Sequence, residues 1–532
     1  MVRDNQSDIF EDIDFWRSDA GLREAVGDAD DASGLAVFGQ AMGSPESLQL
    51  GRAANEWLPR FRPYDEKGVE IGMVEFHPAY HALMERGCAA GLHSSTHAGG
   101  SHVARAARFY MTAQAECGHL CPLTMTHASL AVLDGASAQA GVWRHGILSR
   151  DYDPSSRPAT EKAGLTIGMG MTERQGGSDI RSNRTLATRG TDGGYRLNGH
   201  KWFLSAPMSD AFLMLAGADA GLTVYLVPRI LADGTRNGVH LRRLKDKLGN
   251  RSNASAEVDL VDATAYPVSE EGAGISTILR MVNLTRLDCA LASAGLMRVG
   301  LSVALHHADQ RKAFGRLLVD QPLMRAILAE IAIMVEASTA LVFRLCRAWD
   351  RAEADESEAA FARLMTPAAK YWICKLAPTI LYEAMECMGG NGYIEDGLLA
   401  RAYREAPVNA IWEGTSNVIA LDVLRARTRS PDAFEHIVDS LRPTAEDGAP
   451  MMERWQRLAG GGQEALARTA ASDLAILAAL KQLRRNPQTV VADAFAMAMS
   501  RARQGGLGGY DGSGQALLLE RARPVAANTQ SP

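Results

Sequence analysis

Cysteine is scarce in this chain: the 532 residues include seven cysteines, which are scattered along it and odd in number. Small secreted domains that depend on disulfides have closely spaced, usually paired cysteines, so this pattern excludes that class and predicts reduced thiols in a core. The first residues, MVRDNQSDIFEDIDFW, are acidic and lack an apolar stretch, which predicts no signal peptide. We therefore expect a cytoplasmic protein.

Long apolar runs and an excess of basic residues are also missing. No uninterrupted apolar run approaches the roughly 18 residues of a membrane span, so we expect no membrane partner. The net charge is -6 and the pI is near 6.1, which excludes a general attraction to nucleic acid or anionic lipid. Any nucleic-acid surface has to be local. No G-x-G-x-x-G follows a predicted strand, which excludes a Rossmann-type dinucleotide site.

Changes in hydrophobic spacing divide the chain into four predicted domains. Residues 1–165 carry a loop-rich extension and then alanine-rich helical spacing. Residues 166–275 contain short β-branched or alternating runs with turn signals between them, which predict an antiparallel sheet or small barrel. Residues 276–427 return to helical spacing and predict a helical bundle. Residues 428–532 predict an extra helical C-terminal domain with a disordered tail.

Individual helices can be predicted in the last two domains. Apolar residues recur at three- and four-residue steps from 323 to 352, a helix of about 45 Å, and a second helical pattern runs from 368 to 388. The segment LAILAALKQLRR, 474–485, predicts an amphipathic helix that ends before Pro487. We predict disorder for the Gly-rich stretch 505–514 and the polar end RPVAANTQSP.

One carboxylate stands out, in the segment IWEGTSN at 411–417. Glu413 follows two bulky apolar residues and precedes a glycine-hydroxyl turn, and partial desolvation makes a carboxylate a better base. The alternative is structural: Glu413 could lie in the first turn of a helix that continues through Val418, Ile419 and Leu421, where a carboxylate is favoured by the helix dipole.

Two further segments offer groups for a planar polar ligand. The loop MTERQGGSD, 171–179, contains hydroxyls and two glycines that permit close approach of the backbone. The segment HKWFLS, 200–205, places two aromatic residues beside a hydroxyl at the end of a strand. Each could equally be an ordinary turn or an apolar strand. The i, i+4 histidine pairs His77/His81 and His93/His97 lack a completing acid or cysteine set, so we predict no metal site.

The ordered series of motifs resembles the acyl-CoA dehydrogenase family. MTERQGGSD resembles the family's TEP-x-x-GSD loop, HKWFLS its K-x-W-I-T strand and KDKLGNRSN, 245–253, its K-x-G-x-R element. QRKAFG, 310–315, MGGNGY, 388–393, and IWEGTSN follow in the same order. The resemblance extends from about 165 to 425. It implies a mainly α fold with a central β domain: a helical domain, a small antiparallel β-barrel or sheet domain and a four-helix bundle.

The resemblance also implies FAD as the cofactor, shared between the subunits of a dimer or tetramer. Thr172, Ser178 and Ser205 match positions that hydrogen-bond the isoalloxazine edge, and Trp202 and Phe203 match residues that pack near it. Met171 and Gly177 are also expected to contact the cofactor. Arg311 and Phe314 match a pair that a neighbouring subunit extends toward the pyrophosphate and adenosine. The remaining matched positions are the glycine turn Gly389, Gly390 and Gly392, with Trp412, Thr415 and Asn417 around the base.

Glu413 occupies the position of the family's catalytic base. The implied reaction removes an α-proton of an acyl-CoA thioester to this carboxylate while the β-hydride passes to the flavin. Some relatives carry the base on another helix, just before an arginine. Here that site reads Leu284-Thr285-Arg286, and Thr285 cannot act as a base.

A narrower resemblance connects the chain to the AidB branch, the alkylation-response members of the family. The supporting segments include TRLDCAL, LMTPAAKYWICK and the additional C-terminal region. This branch implies binding of double-stranded DNA in the response to alkylation damage, with residual or weak dehydrogenation of acyl-CoA. Our candidates for phosphate contacts are Arg425, Arg427, Arg429, Lys481, Arg484 and Arg485.

Three readings of the function remain open at this stage. The basic residues could be solvated helix faces, and the chain a metabolic dehydrogenase of short or branched acyl-CoA without a DNA role. Direct deactivation of alkylating agents is a third possibility. The chain also departs from the family pattern: Glu386 replaces Gln, Trp412 replaces Tyr, and Gln321 is displaced by one position. A bulky Trp412 limits the acyl chain that fits beside the base.

Overall fold

The computed structural model describes residues 5–27, 31–133, 138–190, 193–460, 464–485, 489–500 and 514–527. The chain forms two compact units. One combines 1–48, 101–115 and 286–532, and the other combines 49–100 and 116–285. The architecture is mainly helical with a central β domain, as the sequence predicts.

The N-terminal region is helical but contains a β-hairpin that the sequence analysis did not predict. Its elements are α1 (Ala20–Val26), α2 (Ala32–Met42), α3 (Pro45–Glu56), β1 (Arg60–Tyr64), β2 (Glu70–Glu75), α4 (Pro78–Ala89), α5 (His102–Ala115), α6 (Leu120–Leu133) and α7 (Ala138–Leu148). Strands β1 and β2 pair in antiparallel fashion. The strands are short, and Pro63 inside β1 weakens the strand signal of its sequence.

The β domain is a seven-stranded sheet. Its strands are β3 (Ile167–Gly170), β4 (Leu186–Arg189), β5 (Tyr195–Ser205), β6 (Ala211–Ala218), β7 (Gly221–Pro228), β8 (Val239–Leu244) and β9 (Ser255–Pro267). They follow the order β3-β5-β4-β6-β7-β9-β8, with further pairing of β3 to β6 and β5 to β9. The sheet is not wholly antiparallel as predicted, because β6 runs parallel to both β3 and β4.

Helices and a short hairpin follow the β domain along the chain. They are α8 (Gly274–Ala308), β10 (Lys312–Ala313), β11 (Arg316–Leu317), α9 (Pro322–Arg351), α10 (Glu356–Met388), α11 (Gly390–Tyr393), α12 (Leu398–Asn409) and α13 (Ser416–Arg429). Helix α9 matches the predicted 323–352. Helix α10 begins twelve residues before the predicted 368, because Asp355 caps its start. Pro367 and Pro378 lie inside the helix and do not end it. Packing of its buried residues offsets the hydrogen bonds that interior prolines remove.

The C-terminal helices are α14 (Pro431–Ser440), α15 (Ala449–Ala459), α16 (Ala467–Leu483), α17 (Thr489–Ser500) and α18 (Gln515–Ala522). Helix α16 packs against α9, α10 and α13, and every residue from Leu474 to Leu480 is buried. The predicted helix is present, but the prediction that it is amphipathic was wrong, because other helices cover it on more than one side.

Part of the tail predicted to be disordered is held in place. The backbone N–H of Asp14 donates to the carbonyl of Val525 at 2.8 Å, and the N–H of Ala527 donates to that of Asp12 at 2.9 Å. Arg523 pairs with Asp309 at 3.0 Å. The prediction fails for 523–527 because the partners lie hundreds of residues away in sequence. Residues 505–513 and 528–532 lie outside the described residues.

Two helices, α8 and α9, are long and apolar enough to cross a membrane by length and composition. Within their most apolar windows, 94% and 89% of the residues are buried inside the protein, as in the core helices of a bundle. Polar residues interrupt α8 and α9, so neither helix is an uninterrupted apolar run in the sequence. All seven cysteines are buried and none forms a disulfide, as predicted.

Candidate active site

The loop between β3 and β4 is built around the buried carboxylate of Glu173. Lys201 donates to it at 2.8 Å, and both side chains are fully buried. Thr185 donates through its hydroxyl at 2.6 Å, and the backbone N–H of Arg184 donates at 2.7 Å. Burial by itself would raise the pKa of Glu173, but Lys201 and these donors outweigh it and lower the pKa to about 2. The loop is therefore anchored from inside by an ionised carboxylate.

This anchoring presents the predicted ligand groups at the surface of the loop. The N–H of Trp202 donates to the carbonyl of Thr172 at 2.9 Å, which joins the loop to strand β5. A Cβ at Gly177 would lie 3.1 Å from Cγ2 of Thr172, so a side chain there would press on Thr172. Ser178 and Phe203 are exposed and Ser205 is half-buried. The structure thus brings together the two segments that the sequence analysis singled out.

A β-bulge explains how two successive aromatic residues can share one side of the sheet. Strand β5 pairs Lys201 with Val258 and Leu204 with Ala256, so three steps on one strand oppose two on the other. The ammonium of Lys245 lies 3.4 Å from the ring centroid of Trp202 and 4.7 Å from that of Phe203. Lys245, which the sequence analysis did not select, therefore lies against both rings.

In the other unit, Glu413 lies in a turn rather than in a helix. Helix α13 begins three residues later, at Ser416, so the structural alternative for Glu413 is wrong. Glu413 has a φ of 57°, in the left-handed region, and Gly414 has a φ of 103°. The expected apolar cover is only partial, because Ile411 is 58% exposed while Trp412 and Glu413 are half-buried.

Two buried cations hold this turn. The ammonium of Lys370 donates to the carbonyls of Trp412 at 2.7 Å and Gly414 at 2.8 Å. Nε of Arg286 donates to the carbonyl of Glu413 at 3.0 Å. A left-handed backbone costs a non-glycine residue about 1–2 kcal/mol, whereas a hydrogen bond to a charged group contributes about 1.5–3 kcal/mol. The three bonds therefore stabilise a conformation that the turn would not adopt alone.

A buried thiol lies close to the same turn. Burial raises the pKa of Cys289 well above its ordinary value, Lys370 opposes that rise, and Cys374 and Glu413 add to it. Cys289 is therefore a protonated, apolar neighbour of the Glu413 turn and not a nucleophile. Neither Cys289 nor Lys370 could be selected from sequence, where they read as residues of apolar helices.

Comparisons with known proteins agree with this architecture. Three family models match consecutive parts of the chain: the adaptive response protein AidB N-terminal domain at 5–154, the acyl-CoA dehydrogenase middle domain at 168–263 and the acyl-CoA dehydrogenase C-terminal domain at 272–427. The chain is 49% identical over 439 residues to the putative acyl-CoA dehydrogenase AidB of Escherichia coli K12, covering 81% of each protein. The chain belongs to the AidB branch of the acyl-CoA dehydrogenase family.

Solved structures show the same fold. The chain superposes on Caenorhabditis elegans ACDH-11 in complex with C11-CoA with a TM-score of 0.82 and 25% identity, covering 98% of this chain and 93% of that one. It superposes on the apo form of Bd2924 with a TM-score of 0.81 and 27% identity, covering 90% and 99%. The resemblance to acyl-CoA dehydrogenases and the fold that it implied are confirmed.

FAD is the cofactor that membership of the acyl-CoA dehydrogenase family gives this chain. The loop and strand fit such a group. Gly177 has no side chain beside Thr172, Ser178 is exposed, and Phe203 is 45% exposed. An isoalloxazine needs such hydrogen-bonding groups at its edge and an aromatic surface against its face.

Phe314, which the resemblance matches to a residue reaching a neighbouring subunit, lies at the tip of the β10–β11 hairpin. Phe314 and Gly315, with φ values of 52° and 80°, form the two-residue turn between the paired Ala313 and Arg316. Phe314 is 99% exposed, which is unusual for a phenylalanine. The displaced Gln321 donates to the carbonyl of Ala313 at 2.9 Å, so in this chain it supports the hairpin.

Other predicted cofactor residues lie at two further places in this unit. Arg311 donates to the carbonyl of Asn5 at 2.7 Å at the base of the hairpin. In the glycine turn, a Cβ at Gly392 would lie 2.4 Å from the carbonyl of Met385, while Gly389 and Gly390 face open space. Beyond the base, Thr415 and Asn417 are exposed, and Arg468 donates to the Asn417 amide oxygen at 2.8 Å.

The six basic residues proposed for phosphate contacts do not form one equivalent set. Arg427 donates to the carbonyl of Leu458 at 3.1 Å, and Arg484 pairs with Asp447 at 2.8 Å and with Asp493 at 2.5 Å. These two guanidinium groups are bonded to other groups of the protein. The other four side chains are exposed, and Arg425 is paired with Asp422 at 3.1 Å. The exposed candidates are Arg425, Arg429, Lys481 and Arg485.

Proposed function

We propose that this chain catalyses α,β-dehydrogenation of acyl-CoA thioesters, with Glu413 as the base that removes the α-proton. The observation that carries the proposal is the turn at 412–414, whose three successive carbonyls are held by Lys370 and Arg286. Such a turn fixes the backbone of a carboxylate-bearing residue, and precise placement of a base accounts for much of its effect.

The chain's residues divide the remaining tasks. Thr172, Ser178 and Ser205 would hold the isoalloxazine edge, and Phe203 would contact its face. Bound FAD supplies the acceptor for the β-hydride. The Glu413 carboxylate holds the α-proton, and its backbone N–H is the candidate donor to the thioester carbonyl, as the family resemblance implies. Polarising that carbonyl makes the α-proton more acidic.

The visible spectrum of the purified protein tests this proposal. Under anaerobic conditions we expect the FAD absorbance near 450 nm to fall on titration with at least one of butyryl-CoA, isobutyryl-CoA and octanoyl-CoA, because each carries the hydrogens that the reaction removes. CoA alone is the control. A protein that retains its FAD but shows no bleaching with any of the three esters would contradict the proposal.

We propose further that the protein assembles as a dimer or tetramer in which Phe314 reaches a neighbouring subunit. A fully exposed phenylalanine at the tip of a two-residue hairpin is costly in an isolated chain, and insertion into another subunit would remove its ring from water. The acyl-CoA dehydrogenase relatives of this chain support assembly and acyl-CoA binding.

A second function that we propose is binding of double-stranded DNA in the response to alkylation damage. The match to the AidB N-terminal domain and the exposed cations Arg429, Lys481 and Arg485 support it. Their charge is local, since the chain carries a net charge of -6. Binding would therefore depend on phosphate contacts at this surface and be sensitive to salt.

Duplex binding at increasing salt concentrations tests the DNA role. We expect the simultaneous change of Arg429, Lys481 and Arg485 to alanine to reduce the slope of log K against log salt by about 0.9 for each lost phosphate contact. The matched control removes three exposed cations of the other unit, Lys67, Arg242 and Arg280, and should leave the slope unchanged. Equal slopes in both triple variants would exclude this surface.

A further inference from the structure

The side chain of Lys370 is almost entirely enclosed, with 1% of its surface exposed. It extends from the middle of α10, 42 residues before Trp412, yet both of its recorded hydrogen bonds end on the turn that carries Glu413. A buried ammonium normally lies beside a carboxylate. Here its partners are the backbone carbonyls on either side of one residue, an arrangement that shapes the backbone at that residue.

The charged groups around the turn include more cations than anions. The groups contributed by the packed elements are Lys370 and Cys374 from α10, Arg286 and Cys289 from α8, and Asp422 and Arg425 from α13. Asp422 pairs with Arg286 at 2.9 Å and thereby offsets its charge. Both thiols stay neutral, since burial raises the pKa of Cys289 and of Cys374. Lys370 is the cation of this set whose bonds go to the turn alone.

We infer that Lys370 is a positioning residue for Glu413, acting through the carbonyls of Trp412 and Gly414 to fix the backbone from which the base extends. The inference rests on the proposed role of Glu413 as the base. Lys370 holds the carbonyls on both sides of Glu413 and Arg286 holds its own carbonyl, so the backbone from which the carboxylate extends is fixed.

The experiment compares Lys370→Met, which keeps the length of the side chain but removes its donors and charge, with Lys375→Met on the exposed side of the same helix. In the FAD-loaded proteins we expect Lys370→Met to retain FAD and to increase amide hydrogen exchange in 411–417. Anaerobic flavin reduction by butyryl-CoA should slow about tenfold to a hundredfold, the scale of a misplaced catalytic group, with little change in the half-saturating concentration.

The pH profile separates positioning of the base from a purely structural role. Removing a cation from beside the turn favours the protonated form of a carboxylate carried on it, so the acidic limb of the rate profile should move to higher pH. A merely loosened fold would lower the rate without moving this limb. Lys375→Met should keep the wild-type rate, profile and hydrogen exchange.

Failure of the inference can be told apart from failure of the proposed reaction. Wild-type exchange in 411–417 together with an unmoved acidic limb in Lys370→Met overturns the inference, even if Glu413→Gln is inactive. If Glu413→Gln keeps the wild-type rate, Glu413 is not the base, and both the proposed mechanism and the positioning role fail. Should Lys370→Met not fold, Lys370→Gln retains an amide donor. It should then show an intermediate rise in exchange, and an unchanged exchange overturns the inference.

Discussion

Glu413→Gln is expected to slow anaerobic flavin reduction by butyryl-CoA by at least about a hundredfold, because the amide cannot accept the α-proton that the carboxylate removes. FAD should remain bound, since the substitution leaves unchanged the carbonyls of 412–414 that Lys370 and Arg286 hold. The measurement is stopped-flow absorbance of the flavin after mixing with the thioester.

The matched control is Glu353→Gln, an exposed carboxylate just beyond α9 that should reduce at the wild-type rate. A wild-type rate in Glu413→Gln itself would show that another group accepts the proton. Loss of FAD in this variant would instead show that the turn supports the cofactor site, and the rate would then have to be measured after reconstitution.

Glu173→Ala is expected to destabilise the β domain by about 3–5 kcal/mol, the range measured when one partner of a buried ion pair is removed and the other charge remains. Lys201 would keep its bond to the carbonyl of Leu215 at 2.7 Å but lose its counter-ion. The loop would also lose its internal acceptor for Thr185 and for the backbone of Arg184. Because this loop carries Thr172 and Ser178, we expect FAD to be released at a temperature about ten degrees lower.

The double variant Glu173→Leu with Lys201→Met provides the control for this pair. It replaces both charges by apolar groups, so it should recover part of the stability that Glu173→Ala loses. The release of FAD, followed by the rise in flavin fluorescence on heating, gives the comparison. Equal losses in the single and double variants would mean that the hydrogen bonds of the loop, and not the ion pair, hold it.

The same pair gives the expected direction of the pH dependence. The pKa of Glu173 is lowered to about 2 from its ordinary value of 4.5. A carboxylate with a depressed folded-state pKa contributes stability that is present above its unfolded value and lost as the pH falls through the folded value. FAD release should therefore become easier between about pH 4.5 and pH 2, and less so in the double variant.

Much of the fold could be predicted because its signals are local. The spacing of apolar residues placed α9 within one residue of its bounds, and the change to short β-branched runs indicated the sheet domain. Predictions failed where distant partners override local preference. Helix α10 begins before Pro367 and continues through it, and residues 523–527 are ordered by contacts with the N-terminal region.

In the candidate site, too, local sequence predicts some features and distant partners decide others. Sequence order was enough to select Glu413, the loop at 171–179 and the aromatic pair Trp202 and Phe203, since these are short strings with fixed spacing. It could not predict that a bulge in β5 would bring both aromatic rings against Lys245, because a bulge depends on the register between two strands. It also could not separate Arg427 and Arg484, which have internal partners, from the exposed cations.

The sequence by itself determined the family and the identity of the candidate base, because both are encoded in contiguous residues. Only the tertiary structure decided how that base is held. Arg286 and Lys370 reach the Glu413 turn from positions 127 residues before Glu413 and 42 residues before Trp412. A left-handed glutamate is unfavourable in isolation, and it persists because two buried cations, brought there by helix packing, bind the carbonyls around it.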